Sequence, residues 1–172
     1  MNIRRVSVTA VLLVGLTLAG CSAEAPESTA CLGAIDKAST AESAARASSE
    51  ALSTVLSGAA TQPPAEFGKV AAAATTWASD LDALAARYDA IAPLTVQSFG
   101  DAALAVSSAA TSAAADARGF ATAAQAYSVS ADETTTAALN AAAADIAGAP
   151  GTIAAALDRV SDINTNSEDI CE

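Results

Sequence analysis

The stretch from Phe67 to Ile91 constrains the fold more than any other part of the chain. Its apolar residues recur at alternating steps of three and four without interruption: Phe67, Val70, Ala74, Trp77, Leu81, Leu84, Tyr88 and Ile91. This is the heptad pattern of an α-helix that packs against other helices along its whole length. Pro63 and Pro64 precede the stretch and Pro93 follows it, as is usual at helix ends. We therefore predict one long helix here with long helical partners.

A second heptad stripe follows Pro93, and its middle consists almost entirely of alanine. It comprises Phe99, Ala103, Val106, Ala110, Ala113, Ala117, Phe120, Ala124 and Tyr127. Because alanine is the smallest core side chain, we expect a neighbouring helix to approach to about 8 Å, the short end of the usual range. Gly100 and Gly119 each weaken this helix by about 1 kcal/mol relative to alanine. They mark either close approaches of a neighbour or positions where glycine is tolerated.

Two weaker stripes predict a first and a last helix. The first helix is expected from about Cys31 to Leu56, with its apolar stripe at Cys31, Ala34, Ala38, Ala41, Ala45, Ser48, Leu52, Val55 and Ala59. The last begins at Ser130, which with Glu133 forms a capping-box pattern. Its stripe runs through Leu139, Ala143, Ile146, Pro150, Ile153, Leu157, Val160, Asn164, Ser167 and Cys171. Pro150 removes a helical hydrogen bond, so we expect a kink or break there, with two collinear pieces because the heptad phase continues.

Four long helices joined by short connections predict an all-α fold, an antiparallel up-down-up-down four-helix bundle over residues 31–172. Aromatic residues make up only 3% of the chain, which disfavours a β-sandwich or barrel. In this topology the first helix starts where the last one ends. Cys31 and Cys171 both fall on inward stripes at that end, so we predict a disulfide between them. The chain-entropy model assigns about 5 kcal/mol to closing so long a loop.

The first 20 residues have the parts of a secretory signal. Arg4 and Arg5 form a positive segment, and Val6 to Leu18 form an apolar run of 13 residues, shorter than the roughly 20 that span a membrane. The tetrapeptide Leu18-Ala19-Gly20-Cys21 resembles the lipobox of bacterial lipoproteins. That resemblance implies cleavage before Cys21 and a diacylglyceryl group on its thiol. It covers only the first 21 residues and says nothing of the domain that follows.

The resemblance implies an extracytoplasmic protein anchored to the cell membrane, or to the outer membrane if the source is diderm. Residues 21–30 are small and polar and read as a flexible tether. Removing residues 1–20 takes away Arg4 and Arg5, and the net charge changes from −11 to −13. This charge argues against binding nucleic acid and against electrostatic attraction to anionic lipids. Membrane attachment would therefore come from the acyl chains on Cys21.

The chain has few of the groups that catalysis or metal binding needs. It contains no histidine, the commonest general base and transition-metal ligand. Asp80 and Asp82 point to different faces of a helix, and the Asp132-Glu133 pair suits a helix N-terminus. Glu168, Asp169 and Glu172 read as a solvated acidic tail. We therefore expect no enzymatic activity, no cofactor and no metal site.

Two functions remain open at this level. The first is a binding or scaffolding module for another envelope protein. The alternative is a carrier of a lipid or other apolar ligand between the helices, suggested by the alanine-lined third helix. The six aromatic residues are expected in the core rather than in a ligand cage: Phe67, Trp77, Tyr88, Phe99, Phe120 and Tyr127.

Overall fold

The structure is a computed structural model, and it describes residues 26–59, 61–166 and 170–171. These residues form five helical pieces: α1 (Pro26–Ala59), α2 (Phe67–Ile91), α3 (Gln97–Val129), α4 (Glu133–Ala147) and α5 (Ala149–Asn166). The last two are halves of one bent rod, with the bend at Gly148. The described chain is thus an all-α four-helix bundle, and the prediction of a kinked last helix near Pro150 is confirmed.

Consecutive helices run antiparallel and pack side by side when α4 and α5 are counted as one rod. The backbone of α2 lies against α1 on one side and α3 on the other, and α3 also packs against α4 and α5. Phe67 at the start of α2 stacks edge-to-face on Tyr127 near the end of α3, with ring centroids 4.9 Å apart. Short 3₁₀ turns at Pro64–Glu66 and Ala92–Leu94 adjoin the two ends of α2. α3 is therefore the most enclosed helix of the bundle, and α1 lies at its edge.

The heptad stripes form the core. All eight stripe residues of α2 are buried, and so are the nine stripe residues of α3. Three of the α3 alanines, Ala103, Ala110 and Ala117, are completely buried. Their burial is consistent with the close helix approach expected from their size. The six aromatic side chains are also buried, as predicted. Apolar burial along these stripes is the main force that holds the helices together.

The start of α1 differs from the sequence prediction. The helix begins at Pro26 rather than near Cys31, so it includes half of the segment assigned to the flexible tether. Proline is tolerated in the first turn of a helix because the N–H that it lacks would have no helical partner there. The signal segment, Cys21 and the first part of the tether lie outside the described residues.

The capping box of α4 is formed by other residues than those predicted. Ser130 is not the N-cap, because its N–H closes α3 by donating to the Ala126 carbonyl. Asp132 is the N-cap instead, and its carboxylate accepts the Thr135 N–H at 2.9 Å. Hydrogen bonds from the Thr135 backbone and the Ser130 hydroxyl hold the pKa of Asp132 below its usual value. Glu133 lies in the first turn of α4, which suits its negative charge.

The last residues of the chain complete the end of the bundle where α1 and α3 begin. α5 ends at Asn166, so Cys171 is not on a helix as its heptad position suggested. The last three residues of α5, Asn164, Thr165 and Asn166, have low helix propensity, and Ser167 lies outside the described residues. Cys171 forms an antiparallel bridge with Thr95, and the Val96 N–H donates to the Ile170 carbonyl at 3.1 Å. The chain end is thereby attached to the connection between α2 and α3.

A disulfide joins this segment to α1. Cys31 and Cys171 are bonded, with Cα atoms 5.8 Å apart and 140 positions between them in the chain. This is consistent with the pairing expected from an even number of antiparallel helices. The start of α1 and the C-terminal segment are thus connected covalently at one end of the bundle.

Candidate functional site

A groove lies on the outer surface between α3 and α5. Its upper part has an open volume of about 540 Å³ and is lined by Ala105, Ala109, Gly148, Gly151, Thr152, Ala155, Ala156 and Arg159. Its lower part, of about 390 Å³, lies nearer the disulfide and shares Ala105 and Arg159 with the upper part. The α3–α5 groove therefore runs continuously from the bend at Gly148 toward the end of the bundle that carries the disulfide.

The groove exists because small residues face outward on both of its walls. A Cβ added at Gly148 or Gly151 would meet no atom within 4 Å, so the backbone of α5 is open to solvent there. Small side chains let another backbone approach a helix closely.

The charged residues of the groove lie mainly in its lower part. Asp101 on α3 and Asp162 on α5 line it together with Arg159. The upper part carries Arg159 as its single charged lining residue among those described. Near the bend, the groove is thus lined by small residues and is largely neutral. Near the disulfide it is charged.

A second distinctive cluster is buried between α1 and α2. Glu42 is only 6% exposed and Tyr88 only 1% exposed. The Tyr88 hydroxyl donates a hydrogen bond to Glu42 Oε1. Arg46 lies one turn further along α1, and its buried Nε atom has no hydrogen-bond partner among the described residues. Ser48, also buried on α1, donates instead to the Ala44 carbonyl of its own helix at 3.1 Å.

Burial dominates the electrostatics of this cluster. Desolvation raises the pKa of Glu42, although the hydrogen bond from Tyr88 and the charge of Arg46 act in the opposite direction. Desolvation also raises the pKa of Tyr88, and the nearby Glu42 adds to the effect. The phenol therefore keeps its proton and remains the donor. The carboxylate is the member of the pair that changes its charge.

The structure distributes the other candidate residues without bringing them into a catalytic arrangement. Asp82 is exposed and forms an ion pair with Arg118 of α3, while Asp80 is half-buried on another face of α2. The acidic tail residues Glu168, Asp169 and Glu172 lie outside the described residues. In the described part of the chain, His, Cys, Asp and Glu form no group of three that could hold a metal ion.

Sequence reasoning missed both features. Glu42 was overlooked because a carboxylate is normally assigned to solvent, although it lies one heptad after the apolar Ile35 and two heptads before Leu56. The groove was missed because alanine and glycine on an outer face give no signal of their own. An outward pattern of small residues does exist, at Ala141, Ala144, Gly148, Gly151 and Ala155.

No protein-family model, curated protein or solved structure matches this chain. No helix among the described residues is long and apolar enough to cross a membrane. The fold and its surfaces define a class, an all-α bundle closed covalently at one end.

Proposed function

We propose that this protein is a lipid-anchored, extracytoplasmic helical bundle that binds another envelope protein and has no catalytic role. The α3–α5 groove is the observation that carries the proposal. Its walls of Ala and Gly suit a helix or an extended segment of a partner, because both can bring their backbone close to small residues.

The anchor places this surface near the membrane. With α1 starting at Pro26, only residues 22–25 lie between Cys21 and the helix, so Cys21 is five residues before its start. Five extended residues span at most about 18 Å. The disulfide end of the bundle would therefore lie next to the lipid headgroups, and the groove would face sideways toward proteins in the same envelope layer.

Site-specific photo-crosslinking in living cells tests the binding role. A photoreactive amino acid replaces Ala155, an exposed residue of the groove, and in a matched control replaces Ala51, an exposed residue of α1. We expect a discrete protein adduct from position 155 and none from position 51. The substitution Gly151→Arg should fill the groove and abolish the adduct. An adduct that persists in that variant, or equal labelling from both positions, would contradict the proposal.

The lipid anchor has its own test. We expect Cys21→Ser to abolish incorporation of labelled fatty acid and to move the protein out of the detergent phase on phase partitioning, because the thiol is the acylated group. The double variant Cys31→Ser/Cys171→Ser serves as the control, since it removes the two disulfide cysteines without removing the acceptor. Undiminished labelling of the Cys21→Ser variant would show that the lipobox resemblance is misleading.

A carrier of a lipid or other apolar molecule is the alternative proposal. The observation that favours it is that α1 packs its backbone against α2 and the 3₁₀ turn Ala92–Leu94, whereas α4 and α5 pack theirs against α3. An apolar guest would enter most readily on the side between α1 and the α4–α5 rod. Native mass spectrometry of the purified protein distinguishes the two, since a carrier retains a bound lipid and a binding module does not.

A further inference from the structure

The buried Glu42–Tyr88 pair connects the helix that leads to the anchor with the rest of the bundle. α1 lies at the edge, and its close backbone contacts are with α2 and the 3₁₀ turn Ala92–Leu94. Away from the disulfide, its buried stripe consists largely of alanine and serine. Such small side chains bury little apolar surface, so they hold α1 on its neighbours only weakly.

The hydrogen bond between Tyr88 and Glu42 supplies a specific contact in this interface. It joins residues 46 positions apart and is shielded from water on both sides. A buried ion is costly unless it is paired and hydrogen-bonded. Glu42 accepts a hydrogen bond from the Tyr88 hydroxyl and has the charge of Arg46 nearby. Arg46, however, makes no hydrogen bond through its buried Nε atom. The pairing of the carboxylate is therefore incomplete when it is ionised.

The groups that act on Glu42 come from both sides of the interface. Arg46 acts from α1 and Tyr88 from α2. The turn Ala92–Leu94, the other element packed against α1, has no titratable side chain. Neither Tyr88, whose pKa is raised, nor an arginine loses its proton near neutral pH. Glu42 is thus the group of this cluster whose charge changes first as the pH rises.

We propose that Glu42 and Tyr88 form a proton-dependent link that holds α1 on α2 more firmly when the Glu42 carboxyl is protonated and loosens it as the carboxyl ionises. The folded state binds this proton more tightly than the unfolded state, in which the glutamate pKa is near 4.5. Stability from this group is therefore complete below that pH and is lost as the pH rises toward the folded-state pKa. Lower pH tightens α1, and higher pH loosens it.

Amide hydrogen exchange measured from pH 4 to pH 8 on the full chain tests the link. We expect the protection factors of α1 to fall with rising pH by about tenfold for each unit by which the Glu42 pKa is raised, while those of α3 change less. Glu42→Gln keeps an acceptor for the Tyr88 hydroxyl but cannot ionise, so its α1 profile should be flat. Glu50→Gln is the matched control, because Glu50 is an exposed carboxylate on the same helix.

Two results would overturn the proposal. One is an α1 profile that keeps the wild-type slope in Glu42→Gln. The other is a slope that Glu50→Gln removes equally well, which would assign it to overall charge. Should Glu42→Gln fail to fold, carbon-13 NMR titration of the wild-type carboxyls decides the matter. A Glu42 midpoint above that of Glu50 supports the link, and equal midpoints refute it.

Discussion

α1 and α3 have nearly the same length, yet the bundle holds them by different means. α3 is enclosed by α2, α4 and α5, and its buried face is apolar apart from Gly100 and Ser107. α1 packs along one side, includes Glu42 and Ser48 among its buried residues, and is bonded to the chain end by a disulfide. The comparison shows two ways to hold a helix of small side chains in a bundle. One is continuous close packing against several neighbours, and the other is a few specific bonds across a less apolar interface.

Removing the disulfide should have the largest effect, and the effect should fall mainly on α1. We expect the double variant Cys31→Ser/Cys171→Ser to lower the free energy of unfolding by about 2–5 kcal/mol, because the unfolded chain is no longer constrained. Urea denaturation measures the loss. Hydrogen exchange locates it, and α1 should lose more protection than α3. Equal loss in both helices would mean that α1 depends on the disulfide no more than the rest of the bundle does.

Enlarging an alanine should separate the two helices next. Ala117→Leu on α3 forces extra carbons into a fully enclosed site and should cost about 2 kcal/mol. The same change at Ala45 on α1 should cost less, because an edge helix can move outward to make room. Ala115→Leu, at an exposed position of α3, is the control and should stay within about 0.5 kcal/mol of wild type. Urea denaturation compares all three, and a larger cost at Ala45 than at Ala117 would reverse the comparison.

The difference between the two helices also shows which structural features could be predicted from the sequence. Heptad spacing was enough to predict the helices, their antiparallel order and the burial of residues such as Trp77 and Phe120, because apolar periodicity directly reflects the face that is removed from water. The pairing of Cys31 with Cys171 was expected from the topology, although Cys171 lies beyond the end of α5 and not on a helical stripe. Glu42 could not be predicted, since its burial depends on the Tyr88 hydroxyl of another helix lying opposite it. Side-chain pairing across helices is a tertiary property that no single segment specifies.

Local capping and surface shape were equally inaccessible. Ser130 and Asp132 are both good N-cap residues, and the choice between them depended on where α3 ends. The α3–α5 groove needs small residues on two helices that are distant in sequence, such as Ala105 and Gly151. Their spacing within each helix is ordinary for an alanine-rich chain. The groove appears only when the two faces are brought together.

The two glycines of α3 give the smallest predicted effect and the sharpest view of its packing. A Cβ at Gly100 would lie 2.8 Å from the Ala92 carbonyl oxygen, whereas a Cβ at Gly119 would meet nothing within 4 Å. Alanine favours the helix by about 1 kcal/mol over glycine at either position. Gly119→Ala should therefore raise the free energy of unfolding by about 1 kcal/mol, and Gly100→Ala should lower it because the start of α3 must move away from the end of α2. Urea denaturation compares the two variants, and each is the control for the other. If both were stabilising, α3 would not be packed as tightly against the Ala92 carbonyl at Gly100 as proposed.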